Sequence, residues 1–436
     1  MAIETLPDSH LGAHAALIRK GLRRRYAAER RFRIFGVAAI VFGIAFLLFL
    51  FGSIVANGYT AFLQTSFRLD VPLEASVIDP SGERKASELR SADYGLLARR
   101  ALAAQLGVET SDRPAMREIG GLLSRDVDLE IRRVVLADPS LIGQTLPIWV
   151  LAQGRVDSLM KGQLDRDLPA AVRKVSDRQL AWLDKAAAEG FLAKRFNTGL
   201  FVNGASSSPE TAGIGVAVVG SMFMMLIVLL LAVPLGVGAA VYLEEFAPRN
   251  VWTDTIEVNI NNLAAVPSIV FGLLGLAIFI NLAGLPRSAS VVGGLVLTLM
   301  TLPTIIIATR AALKAVPPSI REAAYGIGAS KMQTIAHHVL PLAVPGILTG
   351  TIVGLAQALG ETAPLLMIGM VAFVVEIPTT PLEPATALPV QIYMWATSAE
   401  RGFVERTSGA ALLLVAVLIC MNLLAVILRR RFERRW

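Results

Sequence analysis

Two charged residues stand at the edges of otherwise apolar runs. Arg310 closes a run from Ser290 to Ala308, after Thr301, Pro303, Thr304 and Thr309, and Glu361 is the only acid in the run from Leu342 to about Val375. An ionisable group at such a depth must pair, change its protonation state or face water, so it marks either an ion pathway or a structural pair. Arg310 either offers its guanidinium to a passing anion or snorkels to lipid phosphates. Glu361 either restrains a cation such as Arg310 or caps a helix break at Pro364. The expectation is that the two form or exchange an ion pair. Ser268, after Pro267 in a third apolar run, either marks a kink lining a path or only bends its helix.

Other chemistry is limited by what the residues can build. No Gly-Lys dipeptide occurs, so there is no P-loop and no ATP site of that kind, and neither G-x-S-x-G nor H-E-x-x-H is present. The four histidines are His10, His14, His337 and His338; the adjacent pair points about 100° apart on a helix and makes a poor metal site. Cys420 is the single cysteine, which excludes an intrachain disulfide and a cysteine-built metal centre. The segment Arg310 to Pro341 is more informative. Pro317-Pro318 interrupts a helix, Ser319 is expected to N-cap a new one through Arg321, Glu322, Ala323 and Ala324, and Gly326 and Gly328 loosen or end it. A short, small-residue helix between breakers is either a plain connector or a plug for a groove on another protein.

These residues need a membrane scaffold to position them. Of the 436 residues 54% are hydrophobic and only 17% charged, which argues against a soluble globule, and the net charge of +7 is gathered at the chain ends beside apolar runs rather than on one face for nucleic acid. The run Ile34 to Ala56 carries no charge and is long enough to cross a bilayer core of about 20 helical residues. It follows Arg19, Lys20, Arg23, Arg24, Arg25, Arg30, Arg31 and Arg33 and reads as a retained anchor behind a basic cytoplasmic tail, residues 1–33.

Residues 57–211 return to ordinary soluble charge density, with 20 Lys and Arg balancing 20 Asp and Glu between Asn57 and Ala212. That fits an extracytoplasmic insertion of mixed α/β character. Arg68 to Ile78 alternates like a strand, and Asp93 to Leu106 and Asp177 to Ala188 have helical spacing behind an Asp N-cap. Further apolar runs at about Gly213 to Leu243, Ile260 to Ala283, Ser290 to Ala308, Leu342 to Val375 and Gly409 to Leu428 complete six crossings, the fifth of them ending or bending near Pro364. Alternation from an inside N-terminus puts Arg310, Lys314, Arg321 and Lys331 inside, together with a basic tail at 429–436 that includes Arg434 and Arg435. Asn259, Asn261 and Asn262 precede the third run and are read as interfacial.

The loop 310–341 resembles the EAA motif of binding-protein-dependent ABC importer permeases, E-A-A-x3-G-x9-I-x-L-P, through Glu322, Ala323, Ala324, Gly328, Leu340 and Pro341; His338 stands where the family has an aliphatic residue. Val266 to Gly272 (VPSIVFG) and Gly360 to Leu366 (GETAPLL) are similar to the phosphate branch, the PstA-type permeases. The resemblance covers about Ala212 to Leu428, and 57–211 is similar to an N-terminal extension of some such chains.

It implies an all-α, polytopic type I ABC permease core at 212–428, non-catalytic and without a cofactor of its own, in a bacterial cytoplasmic membrane. It further implies a coupling helix seated in a separate ATPase, with Glu322 as polar contact or cap, the alanines permitting close approach and Gly328 making the turn. The implied partners are a PstC-type permease, two PstB-type ATPases carrying ATP-Mg, an external phosphate-binding protein and membrane lipids, with no nucleic acid. On this reading the pathway candidates are Arg310, Glu361, Ser268 and Thr304. Sulfate, molybdate or phosphonate remain alternative substrates, and a membrane-anchored sensor or scaffold using the large outer loop is the alternative function.

Overall fold

The computed structural model describes residues 8–432, so Arg434 and Arg435 lie outside the described residues. The chain divides after Ala56 into two compact units. The first is the body of helix α1 (Asp8–Gly58). No proline interrupts the stretch from Ile34 to Ala56, so the hydrogen-bond ladder continues through it. The basic segment before it is helical from Asp8 onward and belongs to the same element.

The second unit opens with the insertion, built on an antiparallel sheet in the order β2-β1-β3. β1 (Leu63–Pro72) is central; Phe67 faces Val150 of β2 (Thr145–Leu151) and Leu192 of β3 (Leu192–Phe196). Its alternation buries Phe67, Leu69 and Val71 and exposes Arg68 and Asp70, as a sheet with one covered face requires. The strand begins five residues before the expected Arg68, since half-buried Leu63 and buried Gln64 to Ser66 extend the ladder. It ends at Pro72, after which Ala75–Ile78 is a helical turn and not the expected strand continuation.

The covering helices are α2 (Tyr94–Leu106), α3 (Val127–Ala137), α4 (Gly154–Met160) and α5 (Asp177–Ala188). Tyr94, Leu97, Leu102, Ile131 and Leu183 pack with the strand residues in one core. Asp93 caps α2 by accepting from the Leu96 N–H, as expected. In α5 the cap is Ser176, in a reciprocal box with Gln179, and Asp177 is already the first helical residue, because Ser176 holds the extended backbone an N-cap needs.

The remainder is mostly helical, apart from an irregular stretch at 368–387. α6 (Gly215–Val241) runs into a π-helical turn at Tyr242–Phe246, and α7 (Val251–Ala264) is followed by α8 (Ser268–Gly275), itself extended by a π-turn to Leu282. Then come α9 (Ser290–Lys314), α10 (Pro318–Gly326), α11 (Lys331–Gly360, with a π-turn at Ile335–Val339), α12 (Ala363–Met367), α13 (Leu388–Ala396) and α14 (Gly402–Phe432).

Glycines let these helices approach backbone to backbone, as small residues do where no water drives association. Gly346 and Gly350 of α11 meet Ala312 and Ala308 of α9, while Gly293 and Gly294 of α9 receive Met224 and Ile227 of α6. Any side chain there would collide with its neighbour.

Among the described residues five helices are long and apolar enough to cross a membrane, or six if one bent pair counts as a span. That pair corrects the expected third crossing: Ile260 to Ala283 is not one helix but α7 and α8, which turn 101° at their junction. Pro267 lacks an amide hydrogen and pushes Val266 out of helical geometry, so the chain turns there. The fifth run breaks where expected: α11 stops at Gly360, Glu361 is extended with ψ 132°, and Pro364 lies in the first turn of α12.

Candidate functional site

The segment between α9 and α11 is organised around α10. Its N-terminus is set by Pro317 in extended geometry and Pro318 inside the first turn, with no side-chain cap, so the expected capping role of Ser319 is corrected: the serine already lies within the helix. The C-terminus is a Schellman turn. Gly328 has φ +87°, its N–H donates to the Tyr325 carbonyl at 2.9 Å, and the Ala329 N–H donates to the Ala324 carbonyl at 3.0 Å. Glycine is the residue that takes this left-handed geometry without strain. Ser330 and Gln333 form a capping box that restarts the chain as α11.

Between these stops the helix presents two different faces. Ala324 is buried, and Ile320 packs against Leu313, Val316 and Val339, as does Leu340 of α11. Glu322, Ala323, Tyr325 and Ile327 are exposed, with Ile327 at 82%, and so are Gly328 and Pro341. Among the described residues Glu322 has no cation within ion-pair distance. An exposed carboxylate beside a methyl group, an aromatic ring and an aliphatic side chain suits a groove that is partly apolar and offers a donor. His337 and His338 lie exposed on the π-turn of α11.

Arg321, one residue before Glu322, ties α10 to the helices behind it. Its Nη2 lies 2.6 Å from Glu245 Oε1, and the same guanidinium donates to the carbonyls of Leu313, in the last turn of α9, and Val316, just beyond it, at 3.0 and 2.8 Å. Glu244 accepts from Arg310 Nε at 3.4 Å and lies 3.5 Å from Lys314 Nζ, while Arg310 Nη2 reaches Glu257 of α7 at 2.5 Å. Glu244, Glu245 and Glu257 thus balance Arg310, Lys314 and Arg321. Lys331 Nζ sits 5.2 Å above the Phe246 ring centre.

The sequence reading passed over Glu244 and Glu245. The signal was available: two adjacent acids end an apolar run on the side where cations gather. Arg310 is therefore engaged in this conformation, and the expected Arg310–Glu361 pair is corrected, since its carboxylate partners are Glu244 and Glu257.

Glu361 lies half-buried at the break between α11 and α12 as the C-cap residue of α11, whereas the N-cap of α12 is Thr362 and makes no side-chain cap hydrogen bond. Ser268 opens α8 after the Pro267 bend, and Thr304 is half-buried in α9. The segments VPSIVFG and GETAPLL meet: a Cβ on Gly272 would stand 2.7 Å from the Pro364 Cα, and Phe271 packs in one core with Leu365 and Ile368. Two broken helices thus pack together through α8 and α12, with Ser268 and Glu361 each beside irregular backbone of the kind that membranes tolerate only where it is covered or lines a cavity.

At the other end of α6, about 40 Å along its axis, a second ion network joins the insertion to α14. Lys161 Nζ, at the C-cap of α4, lies 2.7 Å from Asp157 and 2.9 Å from Glu405 of α14, with the lysine side chain only 1% exposed. Asp157 also accepts from the Thr65 N–H, and Arg406 donates to Gln64 Oε1 at 2.5 Å and to the Glu210 carbonyl at 3.2 Å. Glu210 accepts from Ser124 and from the Gly154 N–H, and burial pushes its carboxyl above the ordinary range. Nearby in the insertion, burial raises Glu130 to about 7, although its carboxylate accepts from the Leu151 N–H. None of this network was singled out from the sequence, because Glu405 and Arg406 are separated from Asp157 and Lys161 by more than 200 residues.

Residues 232–436 match the model of the binding-protein-dependent transport system inner membrane component, and residues 19–170 match a domain of unknown function, DUF3333. The chain is 37% identical over 232 residues to the phosphate transport system permease protein PstA 1 of Mycobacterium tuberculosis, covering 52% of this chain and 74% of that protein. It is 35% identical over 261 residues to the PstA of Mycobacterium leprae, covering 59% and 84%. A probable ABC transporter permease protein of Bacillus subtilis, YqgI, is 38% identical over 37% of this chain, which spans 55% of that relative's length.

Apolar helices joined by an exposed helical loop, together with these likenesses, define a multi-pass inner-membrane transport subunit rather than an enzyme. The chain belongs to the binding-protein-dependent ABC importer permeases, in the PstA-type family.

Proposed function

We propose that this chain is the transmembrane subunit through which an ATP-driven importer moves inorganic phosphate, with Glu322, Ala323, Ala324, Gly328, Leu340 and Pro341 forming the part that engages a separate ATPase. The observation that carries this is the geometry of α10: a rigidly stopped, two-faced helix with Glu322 and Ala323 exposed and Arg321 anchored behind them. A helix held in this way can transmit a push from a partner into the bundle. The chain would bind no cofactor itself, and ATP-Mg would sit on the partner.

The substrate rests on the names of the relatives and on the two similar segments that meet at Gly272 and Pro364. Ser268, Thr304 and Glu361 are the pathway candidates, and Arg310 would join them only by leaving Glu244 and Glu257. The assembly would comprise this chain, a PstC-type permease, two PstB-type ATPases and an external phosphate-binding protein. Both termini, the basic tails and α10 would be cytoplasmic, with the insertion outside.

The test is uptake of labelled phosphate, with labelled sulfate as control, in phosphate-starved cells lacking this gene. Wild type restores phosphate uptake and leaves sulfate uptake unchanged, and Glu322→Lys does not restore it. Phosphate uptake that is normal in the deletion strain would turn the assignment toward another oxyanion or toward a sensor.

A further inference from the structure

We propose that Glu245 and Arg321 are positioning residues that carry the displacement of α10 into α6, so that this pair, and not α10 alone, links ATP hydrolysis to movement of the bundle. The inference rests on the transport reading above and adds the route by which the push leaves the loop.

The geometry singles out this pair. α10 is bounded by Pro317-Pro318 and by the Schellman turn at Gly328, so it can move as a short rigid piece. Its polar hold on the bundle runs through Arg321, whose guanidinium touches the Leu313 carbonyl of α9, the Val316 carbonyl just past the end of α9, and, through Glu245, the π-turn that ends α6. The Glu245 side chain is 9% exposed and that of Arg321 20%, so water competes weakly for either. Displacing α10 must drag the end of α6 or separate a desolvated charge pair, and separation is costly because neither charge regains full hydration.

The π-helical turn is what places the two glutamates. Tyr242–Phe246 ends α6 in wider turns, and there adjacent Glu244 and Glu245 reach two different neighbours: Glu244 reaches Arg310 and Lys314 of α9, and Glu245 reaches Arg321 of α10. π-turns recur at functional sites. α6 is also the helix whose far end leads back into the insertion, with the Gly215 N–H bonded to the Asn203 carbonyl. It is thus the element that could report a push at α10 across the full thickness of the bundle.

The experiment uses the complex purified by a tag on the full chain and reconstituted in liposomes, reading labelled phosphate uptake, bound ATPase and the response of ATP hydrolysis to phosphate-loaded binding protein. If wild type retains no ATPase or moves no phosphate, the transport reading fails and the relay, which depends on it, falls too. With wild type active, Glu245→Gln is expected to retain the ATPase in wild-type amount, to lose about tenfold in uptake and to hydrolyse ATP without regard to the binding protein. Arg321→Gln should behave alike, and the double variant should lose no more than either single one, because the pair acts as one unit. Arg321→Lys, which keeps the charge and loses the fork, should recover part of the coupling and provides the reading if Glu245→Gln does not accumulate in the membrane. Wild-type uptake and regulation in Glu245→Gln, strictly additive losses in the double variant, or loss of the bound ATPase would each overturn the relay.

Discussion

The ion networks at the two ends of α6 are made of the same residue types and serve opposite purposes. Around Arg310 and Lys314 at the α10 end the paired side chains are between 14% and 58% exposed and the partners sit on different helices, while the Arg321–Glu245 pair beside them is more enclosed. At the insertion end Lys161, Asp157 and Glu405 are between 1% and 7% exposed, and backbone groups such as the Thr65 N–H complete their hydrogen bonds. Exposed pairs contribute little to stability and can exchange partners, whereas a buried pair is expensive to break because a lone charge is left without water. The first arrangement suits a joint and the second a weld. The insertion is accordingly fixed to α14.

The largest expected effect is at the weld. Lys161→Met removes the cation shared by Asp157 and Glu405 and leaves two carboxylates buried; thermal unfolding of the detergent-solubilised chain should report a loss of roughly 3–5 kcal/mol that salt does not relieve. A loss within about 0.5 kcal/mol, the range of an ordinary surface change, would erase the distinction between the two ends.

A smaller effect separates the ends by pH. The folded-state pKa of Glu130 is raised to about 7 from 4.5, so the folded insertion binds this proton more tightly than the unfolded chain does. The associated stability is fully present below about pH 4.5 and is lost as pH rises through about 7, a change on the order of 1–3 kcal/mol. Glu130→Gln keeps an acceptor for the Leu151 N–H and should flatten that slope in unfolding curves taken between pH 4.5 and 8. An unchanged slope would assign the proton to another group, Glu210 first.

The smallest effect is at the joint. Arg310→Ala frees Glu257 while Glu244 keeps Lys314, so the loss should be about 1 kcal/mol at low ionic strength and should shrink in high salt. A salt-independent loss equal to that of Lys161→Met would make the α10 end a weld too.

Much of the fold was legible locally. Charge-free runs without proline announce helices such as α1, and alternation of Phe67, Leu69 and Val71 with Arg68 and Asp70 announces a half-covered strand. The α10 stops were legible because Pro318 and Gly328 act on their own backbone. The site was only half legible. Glu322 and its neighbours are contiguous, so their spacing carries the signal, whereas the partner of Arg310 was assigned to Glu361 by matching opposite charges and was found at Glu244 and Glu257 instead. Sequence proximity to a helix end cannot say which helix end lies alongside.

The sequence by itself determined what each segment must do with water and with its own backbone: which runs are apolar and long enough to cross a membrane, where proline and glycine stop a helix, that no P-loop is present, and that the loop before Pro341 carries an EAA pattern. Only the tertiary structure decided which charges meet. Hydrophobicity, proline geometry and capping act within a few residues, but an ion pair depends on two chain segments arriving at one place. Glu245 reached Arg321 where glycine-lined helices of the bundle pack closely, and Lys161 reached Glu405 where the insertion packs on the start of α14.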